Sequence, residues 1–304
     1  MPRTPGPHPG VVLVHGSNAQ SRNGQRSIYR FHADHLARRG IAVLLYDKRG
    51  IGGSGGHWDS LGIRDDVVAA LRTLRRHAGV DSDRVGLWGL SQGAWLVVHA
   101  AATVSDEVAF IVPVGGGALS PEDQEKGRTM LQMLADGFSD TDLRRASEIQ
   151  SLKFHYARTG EGWDKYLAAV EQARGAPWLG DPYIGPPTSR DSPAWEFWRS
   201  GLGSKKLDPA DDLKGVRCPV FVIIGERDTY SPPEQTLARF RSLLTHADST
   251  QSKSWLVPGA SHAIYEAKTG GPKEEPYLSR FVPGYLDTLA AWIGRVRPQA
   301  ATSR

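Results

Sequence analysis

A single cysteine among 304 residues, Cys218, excludes an intramolecular disulfide. It precedes Pro219 and an apolar run, and reads as a small buried filler rather than a reactive thiol. No apolar run approaches the roughly 20 residues needed to cross a bilayer. The first ten residues, Met1 to Gly10, contain no apolar segment of signal-peptide type. The expectation is a cytoplasmic protein with no membrane partner. No cluster of His, Cys, Asp or Glu has metal-ligand spacing, so neither a metal nor an organic cofactor is expected. Strong charge is also missing, because 37 Lys and Arg face 33 Asp and Glu for a net +4. The basic residues are scattered, and no zinc-finger or RNA-binding signature occurs, which argues against a nucleic-acid partner. Internal repeats and low-complexity tracts are absent as well.

What is present is an ordinary soluble composition, 39% hydrophobic and 23% charged. Short β-rich runs alternate with helical patterns, which predicts an α/β fold with a mostly parallel, doubly wound sheet. Val11–Val14 is an unbroken apolar run, as expected for a strand buried on both faces. Further strands are predicted at Ile41–Tyr46, Val85–Trp88, Phe110–Val114, Val220–Ile224 and Ser254–Val257. Ile28, Phe31, His35 and Leu36 recur at helical spacing, with Gly40 as the stop. Val67, Leu71 and Leu74 mark the core face of the next helix. A helix over about 92–103 follows the third strand. An amphipathic helix bearing Leu286, Leu289 and Ile293 closes the chain.

The strand–helix rhythm breaks between about Gly117 and Leu213. This stretch has helical patterns, such as Met130, Leu131, Leu134 and Phe138, but no convincing strand. It divides the chain into a core, 1–116 and 213–304, and a helical insertion, 117–212, lying over the sheet.

Two windows fit Gly-x-Ser-x-Gly: Gly52 to Gly56 around Ser54, and Gly89 to Gly93 around Ser91. With 34 glycines in the chain, a serine acquires such flanks by chance about once in 80, so context must decide. A nucleophile turn joins a buried strand to a helix whose N–H groups face the developing negative charge. Ser91 follows Val85–Trp88 and precedes the apolar helical run Ala94–Val98. Ser54 is followed by His57, Trp58, Asp59 and Ser60, which reads as a loop. Ser91 is therefore the candidate nucleophile.

A serine hydroxyl needs a base to take its proton. Of ten histidines, His262 lies in Pro258-Gly-Ala-Ser-His262, directly after the last strand. The carboxyl ends of parallel strands are where such sheets gather functional groups. Asp228, in Gly225-Glu-Arg-Asp228 past the fifth strand, is the candidate partner that orients the base. Glu226 is a rival, expected to point elsewhere in so short a turn; after the fourth strand, Gly115–Gly117 leaves no place for an acid. The two oxyanion donors are expected to be the backbone N–H of Gln92 and that of Ser17, with Gly16 as alternative to the latter. His15 is expected to bond loop backbone rather than handle protons.

In order, Val11-Val-Leu-Val-His-Gly-Ser17, Tyr46-Asp-Lys-Arg-Gly50 with Gly52-Gly-Ser54, Gly89–Gly93, Gly225–Asp228 and Gly259–His262 resemble the α/β-hydrolase superfamily. Within it, they resemble serine esterases with a Tyr-Asp-x-Arg-Gly turn. The match spans about residues 10–115 and 213–295, and the order Ser91, Asp228, His262 is that of the family's triad. The resemblance implies that residues 117–212 are a cap between strands 6 and 7, and that Asp47 and Arg49 stabilise a turn. It also implies two strands before the His-Gly strand, which are missing here. Ile41–Tyr46 would then be an uncovered edge, favouring homo-oligomers or aggregation.

The expected activity is hydrolysis of carboxylic esters with short to medium, apolar acyl or aryl groups, through an acyl-enzyme. The cap aromatics Trp163, Tyr166, Trp195 and Trp198 are the expected substrate-binding residues. A thioesterase, an amidase or peptidase, and a perhydrolase share the triad. Dehalogenases and epoxide hydrolases carry aspartate at the elbow, where this chain has Ser91. The non-enzymatic alternative is a small-molecule receptor on the same fold.

Overall fold

The computed structural model describes residues 1–57, 62–202 and 208–297. Among them, six strands form one sheet: β1 (His8–Val14), β2 (Ala42–Leu44), β3 (Val80–Leu90), β4 (Ile111–Val114), β5 (Phe221–Gly225) and β6 (Lys253–Val257). Their order is β2-β1-β3-β4-β5-β6, and every pairing is parallel. Because side chains alternate along a strand, Val12 and Val14 enter one core and Val11 and Leu13 the other. The first core is closed by α2 (Gly62–Arg75), α3 (Gln92–Thr103), α8 (Ala210–Gly215) and α9 (Pro233–Leu243). The second is closed by α1 (Ile28–Arg38) and α10 (Tyr285–Arg295). Both faces are thus covered, which is why β1 could be an unbroken apolar run. Each fully buried Val or Leu there is worth roughly 1.5–3 kcal/mol.

Between β4 and β5 the chain forms α4 (Pro121–Ala135), α5 (Asp140–Thr159), α6 (Trp163–Gln172) and α7 (Pro193–Leu202) before α8. Local chemistry sets their ends. The Ser120 side chain accepts from Asp123 N at the start of α4, with Pro121 in the first turn. Ser139 and Asp142 form a capping box on α5, which stops at Gly160 in left-handed conformation (φ 74°). These helices share a core of their own, built on Met133, Ile149, Tyr156, Trp163, Tyr166, Trp178 and Trp195.

Three expectations need correction. The second strand contributes three ladder residues, Ala42–Leu44, rather than six. Phe31 is 57% exposed and Leu134 60% exposed. The buried face of α1 is Ile28, Tyr29, His32 and Leu36, and that of α4 is Thr129, Gln132 and Met133. Helical spacing fixes the pitch of a stripe but leaves open which neighbouring row faces inward. In α4 Thr129 is buried because partners await it: Gln150 Nε2 donates to Thr129 Oγ1 (2.7 Å), and Thr129 Oγ1 to the Tyr183 carbonyl (3.2 Å). Among the described residues no helix is long and apolar enough to cross a membrane.

The chain runs from β1 outward to β2, then returns across β1 to β3. That reversal opens a crevice at the carboxyl ends of β1 and β3. The loops after β1, β3, β5 and β6 all end there.

Candidate active site

Ser91 is the residue between β3 and α3, with φ 56° and ψ −121°, a region that L-residues rarely occupy. Its N–H donates to the Val114 carbonyl (2.9 Å), and its own carbonyl accepts from Ala94 N (2.8 Å). The flanking glycines have a steric reason. A Cβ on Gly89 would lie 2.2 Å from the Gly93 carbonyl oxygen, and one on Gly93 would lie 2.4 Å from that of Val14. Ser54, by contrast, donates its hydroxyl to the Asp47 carbonyl (2.8 Å) inside a turn. Trp58, Asp59 and Ser60 behind it lie outside the described residues.

Asp228 is buried and accepts at Oδ1 from the N–H groups of Tyr230 (2.8 Å) and Ser231 (2.9 Å), which fixes its rotamer. His262 Nδ1 lies 3.0 and 2.9 Å from the two oxygens of that carboxylate, leaving Nε2 as the free nitrogen of the ring. Burial by itself disfavours the imidazolium. The Asp228 charge and hydrogen bonds, joined by Glu275, outweigh it and hold the His262 pKa above its ordinary value. The rival Glu226 accepts from Gly259 N (2.9 Å) instead.

Ser91 and His262 line one cavity of about 320 Å³. Among the described residues no hydrogen bond joins Ser91 Oγ to the ring. Ser17 lines the same cavity. The loop that carries Ser17 abuts the serine, since a Cβ on Gly16 would sit 3.4 Å from Ser91 Cβ. The Gly16 N–H is committed to the Tyr29 hydroxyl (2.9 Å); that of Ser17 is the candidate left on this loop. Gln92 opens α3, where backbone N–H groups lack helical acceptors.

His15 follows directly on β1. It is fully buried between the edges of Tyr29 and Tyr46, both centroids 4.8 Å away. Neither ring nitrogen makes a hydrogen bond of full geometry. Burial and the nearby Lys48 charge push its pKa down to about 4, offset in part by Asp47 and the Ser21 backbone. His15 is a neutral packing residue with the Ser21 backbone of the same loop beside its ring.

Trp163, Tyr166 and Trp195 are at most 8% exposed and pack on one another. The Tyr166 hydroxyl donates to the Pro187 carbonyl (2.9 Å) and Trp195 Nε1 to that of Ser189 (2.8 Å). Trp198 packs against Phe154 and under Lys153 Nζ. None of the four lines the cavity, because an insertion this long buries its rings in a core of its own. Tyr29, Tyr230, Tyr265 and Leu278 line it instead, with Gln25, Arg26 and Glu275. Tyr230 stacks on His262 (centroids 4.7 Å) and donates to Glu275 Oε2 (2.6 Å). No sequence pattern marks Tyr230 or Glu275. The neighbourhood of Tyr230 is legible only through its closeness to Asp228 in the chain, and Glu275 comes from the segment after β6.

Asp47 gathers the Arg22 backbone N–H (2.7 Å), its guanidinium and the Gly53 N–H (3.0 Å), so its carboxyl is held well below the usual range. Arg49 binds Asp66 (2.8 Å). Between them, Lys48 turns inward.

A parallel sheet with this reversal, and with a serine, an aspartate and a histidine at the carboxyl ends of β3, β5 and β6, defines a doubly wound α/β protein with one loop-built crevice. The sequence profile of the alpha/beta hydrolase fold family matches residues 9–269, and the chain belongs to that family. An uncharacterised 31.7 kDa Escherichia coli protein from the traX-finO intergenic region is 24% identical over 277 residues, 85% of each chain. The Pyrococcus furiosus esterase Pf2001 superposes with a TM-score of 0.55 at 18% identity, covering 96% of this chain and 84% of that one. Est1E from Butyrivibrio proteoclasticus, solved with ferulic acid, gives 0.54 at 17% identity, covering 97% and 90%. At such identities the two structures establish likeness of fold.

Proposed function

We propose that the protein is a serine hydrolase acting on carboxylic esters, with Ser91 as nucleophile, His262 as base and Asp228 as the acid that orients it. The observation that carries this reading is the Asp228–His262 pair facing the same cavity as a serine at a positive-φ strand-to-helix turn. Ser91 Oγ attacks the ester carbonyl carbon as His262 Nε2 takes its proton. The negative charge on the former carbonyl oxygen meets the N–H groups of Ser17 and Gln92. As the intermediate collapses, the alkoxide leaves with the proton from His262, and an acyl-enzyme remains. Water then gives a proton to His262 and its oxygen to the acyl carbon, and Ser91 recovers the proton as the acid departs. Asp228 stays ionised throughout and stabilises the imidazolium.

A cavity of about 320 Å³ with tyrosine and leucine walls suits short to medium acyl or aryl groups. Residues 117–212 act as the cap in this reading. Helix α4 meets the acid turn, where Ser231 Oγ lies 3.0 Å from Gln124 Oε1, so the cap braces the triad rather than supplying the pocket wall. The test is a panel of p-nitrophenyl esters, thioesters and anilides of graded acyl length, with fluorophosphonate labelling. Esters turn over fastest, and Ser91→Ala abolishes both labelling and turnover; labelling that survives this change sinks the proposal.

A further inference from the structure

Lys48 is 3% exposed, and its ammonium meets three oxygens: the carbonyls of Gly16 and Asn18 (3.0 Å), and Gln92 Oε1 (3.1 Å). An ammonium has three donors, and these acceptors engage them all. All three acceptors are neutral. A buried cation with no carboxylate on it is costly to fold, so a purely structural account of Lys48 is poor. The acceptors, moreover, come from the two segments that carry the proposed oxyanion donors.

Peptide geometry links these contacts to the donors. The Gly16–Ser17 bond is trans, so its C=O and N–H point in opposite directions. Anchoring the Gly16 oxygen on Lys48 therefore aims the Ser17 N–H away from the lysine. The ammonium also polarises that peptide, which makes its N–H a stronger donor. On the other side, the Gln92 side chain ties Lys48 to the residue that bears the second donor. His15, packed at the same loop, is neutral at physiological pH.

We infer that Lys48 is a positioning residue: it locks the Ser17 peptide to Gln92 so that both N–H groups meet one oxyanion, and it places a positive charge behind them. This inference rests on the serine-hydrolase reading above.

The test compares Lys48→Met, which keeps the length of the side chain but removes charge and donors, with Lys48→Gln and Gln92→Met. All are assayed on a short p-nitrophenyl ester and against a trifluoromethyl ketone, whose hemiketal oxygen mimics the oxyanion. For Lys48→Met we expect kcat to fall by about 10²-fold or more with KM nearly unchanged, and ketone affinity to fall in parallel. Lys48→Gln, which keeps an NH2 donor group but no charge, falls between that variant and the native protein, as does Gln92→Met, which leaves both backbone donors in place. A rise in KM with native kcat, or a lost kcat with native ketone affinity, overturns the inference. If Lys48→Met fails to fold by circular dichroism, the two milder variants decide, and native kcat in both overturns it. Turnover retained by Ser91→Ala would sink the hydrolase reading itself. Turnover lost in Ser91→Ala but native in the Lys48 variants sinks only the role of Lys48.

Discussion

Two turns of this chain carry the same Gly-x-Ser-x-Gly pattern and do different work. At 52–56 the serine hydroxyl is consumed by the Asp47 carbonyl, and the turn serves to hold a carboxylate that in turn binds Arg22. At 89–93 the serine sits between a buried strand and a helix, against a cavity. Its glycines are there because carbonyls of the turn and of β1 pass within 2.2–2.4 Å of where a Cβ would stand. The difference teaches that flanking glycines are a consequence of crowding, and that the proposed reactivity of Ser91 rests on what its turn connects.

The comparison can be broken most directly by exchanging the two serines for alanine. Ser91→Ala should reduce kcat by roughly 10⁴–10⁶-fold, whereas Ser54→Ala should leave turnover near native. The latter should cost about 0.5–1.5 kcal/mol in urea unfolding for its lost hydrogen bond. The reverse result would exchange the roles of the turns. Next in size, Asp228→Asn should lower kcat about 10⁴-fold by favouring the wrong imidazole tautomer. Glu226→Gln, at the residue directly after the same strand end but tied to Gly259, should stay within a few-fold.

The glycines give a smaller contrast. Gly93→Ala forces backbone apart and should cost roughly 3 kcal/mol. Gly56→Ala meets nothing closer than 4.0 Å, and should cost about 1 kcal/mol for its positive φ. Thermal melts of the pair measure both. The smallest effect concerns pH. In the proposed mechanism His262 must be neutral to act, and its pKa is held above the ordinary histidine value, so kcat/KM should fall on the acid side at a correspondingly higher pH. Glu275→Gln removes a negative charge that favours the imidazolium, and the acid limb should move to lower pH. A limb that stays in place or moves up would show that Glu275 does not act on His262.

Much of this architecture could be read from residues alone because its signals are local. Val11–Val14 is apolar on both faces, and the helix predicted over 92–103 runs from Gln92 to Thr103. The short loops bearing Asp228 and His262 follow directly on β5 and β6. What escaped depends on contacts distant in sequence. The rings of Trp163, Tyr166 and Trp195 could line a pocket or pack together, and only their mutual distances decide. Thr129 reads as surface until Gln150 and Tyr183 supply partners, and Gln132 until Arg128 donates to its Oε1. Lys48 reads as a turn residue between two charged neighbours until the carbonyls of the β1–α1 loop are seen to converge on it.

The backbone at Ser91 has a consequence for breeding more robust versions of the protein. Its dihedral angles suit glycine better than any residue with a side chain. Ser91→Gly should thus unfold at a higher temperature, by roughly 1–3 kcal/mol of relieved strain, while being inert. Selection for heat resistance alone would tend to erase the hydroxyl, so any such campaign has to screen for turnover at the same time.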